Sequence, residues 1–158
     1  MLGLAPVMGL LNRMLTSMMA LTSPHMRELG MRFVSADRGV AVGMLPYRDD
    51  LVGDPQSGVL HGGVVTTLLD STAGASVMTM LAVPAPIATL DLRIDYLRPS
   101  TPRAPLYARV ECYKLTRHVA FTRGIAYNTD EQDPVASLAA TFMLQTHAIR
   151  LPGQERDG

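Results

Sequence analysis

The chain has one cysteine among its 158 residues, which excludes an internal disulfide and a disulfide-stapled scaffold. Cys112 sits in the run Val110-Glu111-Cys112-Tyr113, strand-like and without a basic neighbour, so it reads as a small strand side chain in a reducing, cytoplasmic setting. Net charge is also lacking: fourteen basic residues cancel fourteen acidic ones. That removes the broad field that draws a protein to DNA or RNA and leaves at most a local patch for an anionic ligand. There is no Gly-x-x-x-x-Gly-Lys loop, no dinucleotide fingerprint and no Gly-x-Ser-x-Gly elbow, so nucleotide hydrolysis, hydride transfer and serine-esterase chemistry drop out. His25, His61, His118 and His147 lack the close spacing of a zinc site, and no metal is expected.

What is present suits one domain with a real core, since chains of this length bury roughly two-thirds of their unfolded surface. Met1 to Leu21 is apolar, but its first base is Arg13 and no small-residue cleavage site follows, so it is read as mature protein. Val7, Leu10, Leu11, Met14, Leu15 and Met18 recur at helical spacing and predict a helix ending before Pro24. Its methionines are read as core packing, ahead of covering an apolar pocket or touching a membrane surface. The expected organisation is an N-terminal helical extension over 1–24, a main domain over 25–148 and a polar tail over 149–158.

Within the main domain, Pro24 to Leu29 predicts a helical turn, and Met31 to Ala36 and Val40 to Tyr47 predict a hairpin around Asp37-Arg38-Gly39. Arg48 to Gly58, with Gly53, Asp54, Pro55 and Gly58, reads as an irregular polar loop. From Gly62 to about Leu81, Val65, Leu69, Ala73, Val77 and Leu81 repeat every four residues, a helix. Thr66, Thr67, Ser71, Gly74 and Ser76 on its other face would let another backbone come close. Asp70 at its centre, with Pro84 and Pro86 soon after, argues against a membrane span. Strands are expected over Thr89 to Leu97, Leu106 to Leu115, Val119 to Asn128 and Val135 to His147. One long helix covers six antiparallel strands most economically if a curved sheet wraps around it, an α+β layout.

Asp70 is the only charged residue between Gly62 and Leu90. A lone carboxylate there costs several kcal/mol of desolvation unless it is paired, protonated or useful. Hydrolysis of an activated acyl group needs a base or nucleophile, for which Asp70 suffices, and a donor for the oxyanion. Gly62, at a helix start, offers an N–H without an intrahelical partner and no side chain to block approach. The two lie eight residues apart on one helix, about 12 Å along its axis and about 80° around it, too far to act on one carbonyl. Two antiparallel helices across a twofold axis would bring the start of one to the middle of the other.

The run Gly58-Val59-Leu60-His61-Gly62-Gly63-Val64-Val65-Thr66-Thr67-Leu68-Leu69-Asp70, followed by Thr89-Leu90-Asp91-Leu92-Arg93-Ile94-Asp95-Tyr96-Leu97-Arg98-Pro99, closely resembles the hotdog-fold acyl-CoA thioesterases of the phenylacetate-pathway type. The likeness covers roughly residues 25 to 148. It implies a hotdog fold and a dimer or dimer of dimers. It also implies hydrolysis of an acyl-CoA, coenzyme A entering only as part of the substrate, with Gly62 from one subunit and Asp70 from its neighbour. Relatives commonly keep a site asparagine six residues before the motif histidine; Pro55 stands there, and Asp54 or Gln56 is the candidate for its work. A hydroxyl residue matching Thr89 often lies beside the aspartate. Strict alternation would put Thr89 with Asp91 and Arg93 instead, so either the strand is locally irregular or Thr89 is a surface residue.

His61 is read as a loop anchor or ligand contact before it is read as a base, with Gly63 beside it in the substrate site. Arg117 and His118, in a turn between strands, are the candidates for coenzyme A phosphates, with Arg98 a weaker one. Met18 and Met19 could line the acyl pocket. The alternative function is a non-catalytic acyl-CoA binder or sensor on the same fold, prompted by Pro55. A hydratase trails, since the helix lacks the expected Glu.

Overall fold

The computed structural model describes residues 23–82 and 85–144. Helix α1 (Pro24–Leu29) is capped by Ser23, whose side chain accepts the Met26 N–H at 3.3 Å, and is closed by Gly30 in the left-handed region at φ 71°. Strands β1 (Arg32–Asp37) and β2 (Val40–Leu45) pair antiparallel through Arg38 and Gly39, both at positive φ, the conformation a two-residue hairpin requires.

The stretch expected as an irregular loop is more ordered than its composition implies. It holds a 3₁₀ turn (Asp49–Leu51) and a small hairpin, β3 (Val52–Asp54) with β4 (Val59–Leu60). The turn formers fall between the strands, and Gly53 takes up a shift in register, so the breakers shape the hairpin instead of abolishing it.

Helix α2 (Gly62–Met78) buries Val65, Leu68, Leu69, Thr72, Ala73, Ser76 and Val77. It stops short of Leu81, with Thr79 and Met80 already in a turn. Leu68 and Leu69 are fully buried, each contributing about 1.5–3 kcal/mol. A Cβ at Gly43 would overlap Thr72 Oγ1, so the bare glycine is what lets α2 lie against β2. One side of the helix is only half-covered in the protomer: Gly62, Thr66, Thr67, Asp70, Ser71 and Gly74.

Strands β5 (Ile87–Tyr96), β6 (Leu106–Leu115), β7 (Val119–Tyr127) and β8 (Ala136–Leu144) complete a six-stranded antiparallel sheet in the order β1-β2-β6-β7-β8-β5. Its inner face, with Leu45, Leu106, Val110, Leu138 and Phe142, closes on α2 in the main core, and Ala36, Ala41 and Ala75 form a small second cluster. This is the α+β hotdog arrangement the sequence led one to expect. Strand β5 is an edge. The helix expected over the first 21 residues, with Met18 and Met19, and the segment holding His147 and the 149–158 tail lie outside the described residues. Among the described residues no helix is long and apolar enough to cross a membrane.

Candidate active site

The start of α2 is held by its own histidine. His61 is the N-cap in extended conformation, and its Nδ1 accepts the Gly63 N–H at 3.0 Å. This bond ties the imidazole back onto the first turn of its own helix. The carbonyl of His61 accepts the Val64 N–H at 2.9 Å and the residue's own N–H donates to Leu51 O at 2.9 Å. Gly53 packs so tightly that a Cβ there would lie 3.0 Å from His61 Cα. The Gly62 N–H, between these fixed neighbours, has no acceptor among the described residues. It is one of the orphan donors of a helix start, with the macrodipole adding positive character.

Gly62 forms part of a cleft of 390 Å³, bounded by Leu60, Val65, Tyr96, Leu97 and Val135. The walls are mainly apolar. Buried Ser100 fixes one side, its Oγ accepting the Leu60 N–H at 2.9 Å. Arg98 also borders the cleft, but its guanidinium donates to Pro99 O and Asp133 O. Its Nε lies 2.9 Å from Asp133 Oδ2, off line for a hydrogen bond. Those partners hold Arg98 in the loop and leave little of it for a phosphate.

Asp70 is half-buried two turns further along α2 and faces strand β5. Thr89 donates from Oγ1 to Asp70 Oδ1 at 3.0 Å. Between the two alternatives for Thr89, the irregular strand is the one that occurs: the β5–β8 register shifts between Thr89 and Asp91, so that Leu90 is extra. Leu90, which strict alternation would group with Leu92 and Ile94, is 55 % exposed in consequence, while Leu92 and Ile94 pack on the core.

The remaining candidates fall into two other places. Asp54 Oδ1 accepts the Gln56 N–H at 3.1 Å, closing the β3–β4 turn. The Ser57 hydroxyl and then that N–H hold its carboxyl below the usual carboxylate range. The Gln56 side chain is exposed in the same turn. Arg117 and His118 are exposed at the β6–β7 turn. His118 O accepts the Leu144 N–H, and Leu144 pairs with Ile87, so this turn lies at the Thr89 end of the sheet and away from Gly62.

Tyr96 was not among the site candidates read from the sequence. Its hydroxyl donates to Gly62 O at 2.8 Å and lies 2.9 Å from Thr66 Oγ1. The available signal was chemical, since a Tyr near an apolar face needs a partner for its O–H.

A family model described as the thioesterase superfamily matches residues 57–135, half of the chain. Medium/long-chain acyl-CoA thioesterase YigI of Escherichia coli is 29% identical over 134 residues, covering 77% of this chain and 85% of that protein. A Halobacterium salinarum protein is 37% identical over 75 residues, 46% of this chain, and the match spans only half the length of that relative. Among solved structures, a Pseudomonas aeruginosa protein has 39% identity and a TM-score of 0.77, covering 84% of this chain and 98% of the other. A point mutant of the phenylacetic acid degradation protein PaaI from Thermus thermophilus has 30% identity and a TM-score of 0.67, covering 77% and 98%.

Proposed function

The chain belongs to the thioesterase superfamily, and we propose that it hydrolyses acyl-CoA thioesters to the free acid and coenzyme A at a site shared between two subunits. The Gly62 N–H receives the oxyanion. Asp70 of the neighbouring subunit, steadied by its own Thr89, is the general base or nucleophile. In the general-base form, Asp70 takes a proton from water as the oxygen bonds to the acyl carbon. The tetrahedral oxyanion then collapses, the C–S bond breaks, and the sulfur leaves as thiolate to be protonated. If Asp70 attacks directly, an anhydride forms with the same loss of thiolate, and water then cleaves it.

The observation that carries this reading is the pairing of each group with one end of the same edge strand. Asp70 bonds Thr89 near the start of β5, and Gly62 bonds Tyr96 at its end. A twofold axis crossing the middle of β5 exchanges those ends, so that the acid of each subunit faces the amide of the other. The edge itself supports such a partner: Leu90, Tyr96 and Leu97 are all more than half exposed, and an uncovered apolar edge is a liability unless it is an interface. Arg117 and His118 lie at the Asp70 end of their own subunit, a suitable rim for coenzyme A phosphates. The apolar cleft beside Gly62 suits an aliphatic acyl group, in keeping with the name of the YigI relative.

Subunit mixing tests the shared site. Gly62→Pro removes the N–H at a helix position whose backbone suits proline, although the ring crowds the Tyr96 hydroxyl of the same subunit, and Asp70→Asn removes the base. Each variant alone is expected to be inactive. Co-refolded one to one, they form heterodimers with one intact site, so about a quarter of the wild-type thiol release returns. No recovery in verified heterodimers would place both groups in one subunit and end the proposal. The binder alternative, favoured by Pro55, predicts thermal stabilisation by acyl-CoA with no thiol released by the wild type.

A further inference from the structure

We infer that Tyr96 is a positioning residue for this reaction: its hydroxyl, bonded to the Gly62 carbonyl, fixes the helix start that presents the Gly62 amide. The inference rests on the proposed role of Gly62 as oxyanion donor. A glycine pair lets a ligand come close, but it is the least restrained way to begin a helix, because glycine has the widest choice of backbone conformations to lose. Helix starts also fray. An amide that must meet an oxyanion within a few tenths of an ångström needs a restraint that Gly62 and Gly63 cannot supply themselves.

The structure supplies it from strand β5. The carbonyl of the peptide joining Gly62 to Gly63 accepts from Tyr96 at 2.8 Å and from the Thr66 hydroxyl at 3.1 Å, and the two hydroxyls are 2.9 Å apart. The N–H of that same peptide donates to His61 Nδ1 at 3.0 Å. Its plane is thus held at both ends. The preceding peptide, which carries the Gly62 N–H, is held through the His61 carbonyl by Val64 N–H. Gly62 also fits under the Tyr96 hydroxyl with nothing to spare, since a Cβ there would sit 3.2 Å from the oxygen. Phe would fill the cleft wall as well as Tyr does; the hydroxyl is the part that works at Gly62.

The test compares wild type with Tyr96→Phe, which keeps the ring, with Thr66→Val, and with the two substitutions combined. Thiol release is read as kcat and KM, and amide hydrogen exchange is read at Gly63. For Tyr96→Phe, kcat is expected to fall about tenfold with KM moved less than about twofold. Gly63 exchange should quicken at least about fivefold while Leu138 in β8 stays protected. The double variant should lose less than the product of the two single effects, because both hydroxyls serve one carbonyl.

A wild-type kcat in Tyr96→Phe overturns the inference, as does a rise in KM alone, which would make Tyr96 only a wall. Loss of kcat accompanied by faster exchange throughout the sheet also overturns it, as a matter of stability. If the wild type itself releases no thiol, the proposed function fails. Tyr96 is then judged only as the clamp on the helix start, which unchanged protection at Gly63 overturns and a local increase in exchange supports.

Discussion

Thr89 Oγ1 donates to Asp70 Oδ1 at 3.0 Å across the junction of helix α2 and edge strand β5. The bond exists because one residue, Leu90, is extra in the β5–β8 ladder. Beyond the bulge, Leu92 and Ile94 face the core; without it, Thr89 would share the outward face of Asp91 and Arg93.

Removing the acid should cost far more than removing its support. Asp70→Asn is expected to lower kcat by at least about a hundredfold, the scale of a lost general base, with the fold and dimer intact. Thr89→Val, which keeps the shape, should lower kcat about tenfold with KM little changed. Steady-state thiol release checks both. An Asn variant with near-wild-type turnover would remove Asp70 from the mechanism.

At Gly124 an added Cβ would meet Arg109 O at 2.6 Å and Val110 Cα at 2.9 Å, backbone that cannot step aside. Gly124→Ala is expected to destabilise by about 3 kcal/mol or more. At Gly74 the nearest atoms are side-chain carbons at 3.7 and 3.9 Å, so Gly74→Ala should be neutral or stabilising by up to about 1 kcal/mol. Urea unfolding of the two variants gives the comparison directly.

The exposed leucines in and just after β5, Leu90 and Leu97, are expected to form the contact between two copies of the chain. Leu90→Glu with Leu97→Glu should give a monomer by sedimentation velocity that keeps its circular dichroism but loses turnover. Full activity in a verified monomer would contradict the shared site.

Acid should weaken the loop before the core. The Arg48 guanidinium bonds the Asp50 carboxylate and holds its pKa below the usual range. A depressed folded-state value means that the contribution is present above the ordinary Asp pKa of about 3.9 and is lost as pH falls through the lower folded one. Asp54, lowered by Ser57 and Gln56, behaves alike. Melting temperature should therefore be flat near neutrality and drop below about pH 4, with a shallower drop in Asp50→Asn.

Cys112 is buried, and burial pushes its thiol pKa up. A thiol reagent at neutral pH should modify it only as the protein unfolds, and Cys112→Ala should leave turnover unchanged. Rapid labelling of the native protein would refute this.

Most of the element order is written in local patterns. The fourfold repeat from Val65 to Val77 specifies α2 because a helix buries one face, and alternation in β6 to β8 specifies strands because a sheet does the same with a period of two. The β3–β4 hairpin escaped because three-residue and two-residue strands carry no periodicity, leaving only their turn formers to be read. Leu90 escaped because a bulge shifts the alternation without leaving a mark in composition.

By itself the sequence determined the central helix, the six strands of the main sheet and the spacing of Gly62 from Asp70, since each follows from covalent order and the period of a regular backbone. Only the tertiary structure decided that Thr89 meets the acid, that Tyr96 clamps the helix start and that Arg98 is tied to Asp133. Those contacts join residues far apart along the chain, and their partners are set by ladder register and packing, which a pattern of apolar and polar residues leaves open.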